Sequence, residues 1–599
     1  MNIFLLWQRR GDADRELAGR VALNLQSLFS PLFSEPPKAM VVQGVAASLV
    51  SLELPVRGWK PPFWQEDGQT WAMAVDYPIN GRTVLAANGV SFDEDNFLPA
   101  LGRQLQDGPR TLLKEMAPPF SLVWSSKQTG ETFVQNDGLG HSQLFEFEDD
   151  HLWAVTNKLF ALKTLGVPCE PEPAQWAVWA TLGWFPMEMT GYKNIRFLEP
   201  ATQVRLNAQG ISRVRSDVLL DWVHPPAQSR EACLELARSS LLQLIRGCIP
   251  LCEKPSVGLT AGWDSRAVVS ALRAAGARFS TRVRGLPGRH DVAIAAALAK
   301  VAGLKLRVQH GGGLPPVDAL GCRRSILQAL LWQAGHVAAY RHKSFLVNQQ
   351  HLEARGVSIT GQHGEIGRRE RALFDDHHAK TIQAAGFSPS QYEDYTLKEL
   401  MTNMPPFIRR DHHELVRETI RNAYHQADKY ELSGLARMDF FSLYEFTRRK
   451  GSTVHAWQTR LLIAPFLNPD FIRAVFGYVN RTDTNAFHRY MIAANAPDWV
   501  DVPYFEDLEE QKLIREALSS AARPELSVQG VSDWKQPKGR HNYDGGLYWQ
   551  AIGKPLIEDG LAHGGLWTEV FDPDIARREW KKAPDELAVV LLLPQVLQR

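Results

Sequence analysis

The sequence predicts two domains, an α+β domain over residues 1–215 and an α/β domain with a parallel sheet over residues 216–599 that carries added C-terminal helices. A chain of 599 residues is too long for a single core. Its first third reads as short strands and turns with few helices, the pattern of a layered α+β domain. From about Asp217 long helices alternate with short apolar strands, the rhythm of a parallel sheet covered on both faces.

In the first third, the opening apolar run through Trp7 is too short for a signal peptide and has no basic region before it, so it reads as a first strand. Asp12 to Phe33 has helical spacing. Trp71–Val75, Arg82–Ala86 and Phe120–Trp124 read as strands. Thr132–Gln135 runs into the turn Asn136–Gly140, and Gln143–Phe147 is expected to pair back on it as a hairpin.

The second part opens with an amphipathic helix, Arg230–Cys248, and leads into Pro255–Ser270. There Val257 and Leu259 end a buried strand, Thr260–Gly262 is a tight turn of small residues, and Ser265–Ala275 is a helix. Strand, turn and helix aim unpaired backbone N–H groups at one point, which is an anion site. Asp264 beside it suggests a Mg²⁺ ion between carboxylate and phosphate. The stretch is not a Walker loop, since no Gly-Lys-Ser/Thr closes it; taken alone, it also reads as ordinary strand–helix punctuation. Phe279–Gly285, Lys305–Gln309 and Val357–Thr360 are further strands, with a helix over Asp291–Ala302. Ligands of such sheets lie beyond the carboxyl ends of the strands. His310–Pro316 reads as a connection and Leu435–Arg449 as helix.

Composition excludes several classes. A net charge of +1 argues for neither nucleic acid nor an anionic membrane, and no run approaches the ~20 apolar residues of a span. The five cysteines, Cys169, Cys233, Cys248, Cys252 and Cys322, form no Cys-x-x-Cys pair and read as buried thiols in a reducing cytoplasm. The 18 tryptophans serve either as core or as partly exposed aromatics suited to a peptide groove.

Thr260-Ala-Gly-Trp-Asp-Ser265 resembles the Ser-Gly-Gly-x-Asp-Ser pyrophosphate loop of the asparagine synthetase-like ATP pyrophosphatases, with Thr for Ser and Ala for Gly. Phe120–Trp124, Asn136–Phe145, Ala154–Leu162 and Tyr192–Pro200 are similar in order to that family's glutaminase half, which implies an Ntn-hydrolase-like first domain. The active glutaminase has Cys directly after the initiator Met, and here that place is Asn2. An amide cannot replace a thiolate nucleophile, so the domain is expected to be a degenerate glutaminase. Arg284-Gly285, Asp291, Thr360–Arg368, a turn at Ile463–Asn468 and a later helix over Phe487–Ala496 continue the resemblance. It implies ATP and pyrophosphate binding by Leu259, Thr260, Ala261, Gly262, Asp264, Ser265, Val283, Gly285, Asp291, Thr360 and Gly361, and Mg²⁺ binding by Asp264 and Glu365.

Two family positions depart. Gln362 stands where asparagine synthetases have Glu and β-lactam-forming relatives have Tyr, and Gln is not a general base. His363 beside it is a candidate proton acceptor, and Arg368 a candidate to steady phosphate or a carboxylate. The family's mobile-loop Lys is missing from Val500–Tyr504; Lys535 and Lys538 are the nearest candidates. The resemblance implies an AMP-forming amide ligase, most like the lasso peptide cyclases, which join a peptide's N-terminal amine to an Asp or Glu side chain. Its expected partners are a precursor peptide, a leader peptidase and a leader-binding protein. A β-lactam or carbapenam synthetase, an ammonia-using asparagine synthetase and a non-catalytic binding homologue stay open.

Overall fold

A computed structural model describes residues 2–9, 15–285, 290–309, 319–337, 356–368, 386–457, 461–479, 485–504 and 554–598. The first part holds two six-stranded antiparallel sheets. One runs in the order Ile195–Phe197, Phe145–Glu148, Leu152–Thr156, Ile3–Arg9, Ser48–Leu52, Ala39–Gln43. The other runs Gly210–Arg215, Thr202–Asn207, Thr132–Asn136, Ser121–Ser126, Thr70–Asp76, Trp64–Glu66.

Alternation along the strands sets the layers. From the first strand Phe4 and Leu6 point to the other sheet and meet Met73, Val75, Val123, Val134 and Val204. Ile3, Leu5 and Trp7 point the opposite way, onto Ala18, Val21 and Leu25 of the helix Arg15–Phe29. The outer face of the second sheet, with Ala72, Ala74, Leu122 and Trp124, is covered by Leu98, Leu101 and Leu105 of the helix Phe97–Asp107. Four layers result, helix–sheet–sheet–helix, because each strand has apolar residues on both faces.

Two local expectations are corrected. Arg82–Ala86 is not a strand; Gly81–Ala87 is a helix, with Val84 and Leu85 buried. Five residues are too few to separate the two periods, and packing decides. Thr132–Asn136 and Phe145–Glu148 do not form a hairpin. They lie in different sheets, and Phe145–Glu148 pairs with Leu152–Thr156 instead. The turn between them crosses from one sheet to the other.

The second part is built on a five-stranded, all-parallel sheet in the order Leu306–Gln309, Ser280–Arg284, Ser256–Gly258, Val357–Ile359, Leu461–Ile463. By position in the chain this is 3-2-1-4-5, so the direction of winding reverses between Ser256–Gly258 and Val357–Ile359. The fifth strand ends at Ile463, where the stretch expected to be a turn begins. Helices Arg230–Cys248, Trp263–Ala274, His290–Val301 and Ala486–Asn495 flank the sheet.

The hydrophobic cores run across residue 215. Leu98, Leu122 and Trp222 share one cluster with Val257, Val268 and Phe471. Another joins Trp176 and Trp179 to Trp332 and to Leu587, Val590 and Leu593 of the terminal helix Pro584–Leu597. Among the described residues the tryptophans are mainly core: Trp7, Trp124, Trp153, Trp176, Trp179, Trp222, Trp332 and Trp499 are all buried. The aromatic content is therefore not a peptide groove there. No helix among the described residues is long and apolar enough to cross a membrane.

Candidate functional site

In parallel sheets the ligand crevice lies where the winding reverses, here at the carboxyl ends of Ser256–Gly258 and Val357–Ile359, and the two loops singled out from the sequence leave from those ends. Sheet-like hydrogen bonds continue one residue past each strand: Leu259 N–H donates to the Arg282 carbonyl at 2.9 Å, and Thr360 N–H to that of Ile463 at 2.9 Å. Gly285 N–H does the same to Gln309 at 3.1 Å. Leu259 and Val283 are buried in the core, so they offer the crevice backbone only.

The loops touch. A Cβ on Gly361 would stand 2.8 Å from Ser265 N, and one on Gly364 would stand 2.7 Å from the Asp264 carboxylate carbon. Only glycine admits that approach, which explains the small residues in the second loop. Asp264, in the first turn of the helix Trp263–Ala274, thus lies against the backbone of the loop 361–364.

Its Oδ1 is 3.0 Å from Arg368 Nε and 3.0 Å from His488 Nε2. Arg368 ends the short helix Glu365–Arg368 that begins with Glu365. His488 is fully buried on the helix Ala486–Asn495, and burial holds its imidazole below the usual value despite the pull of Asp264. Both neighbours are close, yet neither is aligned as a hydrogen bond, and Asp264 Oδ1 is a buried carboxylate oxygen without one. A Mg²⁺ ion at its usual distance of about 2.1 Å from this oxygen would stand close to the guanidinium. As arranged, then, these residues do not fit the ion. Among the described residues no group of three or more His, Cys, Asp or Glu is placed to hold a metal.

The small-residue turn is also engaged internally. Thr260 N–H donates to Ser265 Oγ at 3.1 Å, and Gly262 N–H to Thr260 Oγ1 at 3.2 Å. Ala261 N–H donates to the Asp291 carboxylate at 3.0 Å. Asp291 opens the helix His290–Val301, and its carboxylate occupies the kind of position a phosphate oxygen would take. Thr360 Oγ1 accepts from Gln362 N–H at 3.1 Å.

His363 faces away from these groups. It has φ 73° and is buried at the junction of the two parts, with its Nε2 3.2 Å from His141 Nε2. His141 comes from the crossing turn of the first part, and its ring also meets His455 edge to face, 5.4 Å between centroids. Burial lowers His363 to about 3 and His455 to about 4. Three neutral imidazoles therefore form a dry contact, and a group so weakly basic is poorly suited to accept a proton from an amine. Gln143 Nε2 adds hydrogen bonds to Ser452 Oγ at 3.2 Å and Thr453 Oγ1 at 2.9 Å.

Asn2 is a strut in the first part. Its Oδ1 accepts from Leu54 N–H at 3.3 Å and its carbonyl from Asn157 Nδ2 at 2.7 Å. Cys169 is buried, which pushes its thiol up to about 12. Neither offers a thiolate nucleophile. Lys535 and Lys538 lie outside the described residues.

Sequence reasoning passed over two residues. His488 was legible only as part of a helix, since nothing local links it to Asp264. Arg266 was hidden likewise. It is fully buried and donates to the carbonyls of Val502 at 2.8 Å and Pro503 at 2.9 Å. This lays Tyr504 on Trp263, with centroids 3.4 Å apart, and the guanidinium lies 3.7 Å from the Tyr504 ring. The segment Val500–Tyr504 is thereby fastened beside the first loop.

No protein-family model matches the chain, and no curated protein matches it. Among solved structures, the allosteric regulatory enzyme of purine biosynthesis is similar at 12% identity and a TM-score of 0.25, over 53% of this chain and 82% of that one. Glutamine phosphoribosylpyrophosphate amidotransferase from B. subtilis, complexed with ADP and GMP, is similar at 11% identity and a TM-score of 0.25, over 53% and 83% of the two chains. Likeness of this size carries no argument about fold or activity.

Proposed function

We propose that the protein is an ATP-dependent amide ligase that activates a carboxylate as its acyl-adenylate, releasing pyrophosphate, and passes the acyl group to an amine with release of AMP. The observation that carries this reading is the meeting of the loops Thr260–Ser265 and Thr360–Glu365 at the carboxyl ends of the two strands where the winding reverses. Crevices of that kind are where parallel α/β sheets hold nucleotides. Adenylation turns a poor leaving group into a good one, and the loop N–H groups that now serve Asp291 and Thr260 would turn to the pyrophosphate oxygens. No step is assigned to a metal ion, because Asp264 as arranged does not fit one.

Asn2 in place of a cysteine favours an amine brought by the substrate itself over ammonia from glutamine. On this basis the substrate is a precursor peptide, closed by its N-terminal amine onto an Asp or Glu side chain. A leader peptidase and a leader-binding protein would be its partners. Incubation with ATP, Mg²⁺ and leader-cleaved peptide tests this, the expected product being the peptide less one water. Unchanged peptide beside adenylation of a small amino acid derivative would point to a β-lactam-type cyclase instead.

A non-catalytic binding homologue is a second reading, favoured by the internal saturation of the turn and by the Arg368 contact with Asp264. Pyrophosphate release that depends on Asp264 excludes it.

A further inference from the structure

We infer that the first part of the chain, which offers no nucleophile of its own, sets the shape of the loop Thr360–Glu365, with His141 as the positioning residue that pins His363. Only the consequence for catalysis rests on the ligase reading; the geometry stands apart from it.

His363 is the bend of that loop. Its φ of 73° lies in the left-handed region, which a residue with a Cβ keeps only where its surroundings fix it. Glycine would adopt the same bend freely, so the imidazole itself has a task there. To one side of the bend, the backbone of Gly361 and Gly364 comes against Ser265 and Asp264. To the other side, the His363 ring enters the junction between the two parts, where it is buried.

Its seat there is closely made. His363 Nε2 is 3.2 Å from His141 Nε2, so one ring donates its N–H to the bare nitrogen of the other. Against the same ring lies Gly451, where an added Cβ would stand 2.6 Å from His363 Cε1. His141 is fixed in its turn. The buried Asp137 carboxylate accepts N–H bonds from Leu139 at 3.0 Å, His141 at 3.0 Å and Ser142 at 2.7 Å. Ser142 Oγ donates to Asp76 at 2.6 Å. The turn is also tied at both ends, because Thr132–Asn136 before it and Phe145–Glu148 after it belong to different sheets. A line of contacts thus runs from Asp137 through His141 and His363 to the backbone that faces Asp264. A rigid scaffold thereby holds a loop of the candidate site from the far side.

The test is amide hydrogen exchange of the nucleotide-free full chain, read over residues 360–368. His141→Leu is expected to exchange there at least tenfold faster than wild type, with the strands Ser121–Ser126 and Thr132–Asn136 unchanged. His141→Gln, whose amide can meet His363 Nε2, should restore most of the protection. His363→Gly should also exchange faster, although glycine suits the bend. Unchanged exchange over 360–368 in His141→Leu, with the near-UV circular dichroism of wild type, would overturn the inference. Equal or slower exchange in His363→Gly would overturn it too, since the loop backbone would then hold itself. Should His141→Leu loosen the first-part strands as well, the His363→Gly comparison decides. For catalysis, the KM for ATP in pyrophosphate release should rise at least tenfold in His141→Leu and recover in His141→Gln. Faster exchange in a chain that releases no pyrophosphate leaves the positioning role standing and removes the ligase. Release with unchanged exchange removes the positioning role alone.

Discussion

At the scale of single residues, the distance between the two loops is set by Gly364. Its Cα lies so near the Asp264 carboxylate that an added methyl group would meet the carboxylate carbon at 2.7 Å. Gly364→Ala should push Asp264 away from Arg368 and His488, and overpacking of this kind costs about 1–3 kcal/mol. A lowered thermal midpoint with loss of ATP binding is the expected outcome; an unchanged midpoint and affinity would mean that the loops do not meet as described. Asp264→Asn removes the charge that faces Arg368 and His488 while keeping the shape, so the ligase reading expects pyrophosphate release to fall. Full turnover by that variant would remove Asp264 from the chemistry. Asp264 itself was legible in the sequence because Thr260–Ser265 carries a local pattern. His488 and the crossing of Arg368 onto Asp264 were not, because long-range contacts between helices leave no periodic trace.

At the scale of elements, the helix Trp263–Ala274 does more than point its N-terminus at the crevice. Arg266 in its first turns anchors Val500–Tyr504 through two backbone carbonyls and the Tyr504 ring. Arg266→Ala leaves those carbonyls without their donor and should cost about 3 kcal/mol or more. A thermal or denaturant melt reads this, and a loss below about 0.5 kcal/mol, the range of an ordinary surface change, would contradict the anchoring role. The strands Ser280–Arg284 and Leu306–Gln309 and the helix between them followed from apolar runs broken by turns. Leu461–Ile463 escaped because three residues before a proline show no period, and only pairing with Val357–Ile359 makes them a strand. Gly81–Ala87 failed for the related reason that a short apolar run fits either period. Part of the stretch Leu435–Arg449, read as helix, is the ten-residue wide-turn helix Ser442–Gly451, whose buried Arg448 and Arg449 pair with Glu188 of the first part.

At the scale of the whole molecule, the two parts are joined by polar groups kept dry. His141, His363 and His455 are all buried and neutral, with only the Asp76 charge favouring protonation of His455. A histidine whose folded value is lowered gives stability that is full above its unfolded value near 6.5 and lost as pH falls toward the folded value. For His455, lowered to about 4, the loss develops between roughly pH 6.5 and pH 4 and reaches ~2 kcal/mol near pH 5. His455→Gln should therefore flatten the fall of the thermal midpoint across that window, and parallel pH profiles for variant and wild type would contradict the buried cluster. The change in element length near residue 215 was visible in the sequence, while the sharing of cores across that point was not, since apolar residues do not announce which partner they will meet. The central claim, that the loops Thr260–Ser265 and Thr360–Glu365 make one nucleotide site, is tested most directly by amide hydrogen exchange with and without ATP. Protection appearing together in residues 259–266 and 360–368 is the predicted result; ATP bound at saturation with neither segment protected would contradict it.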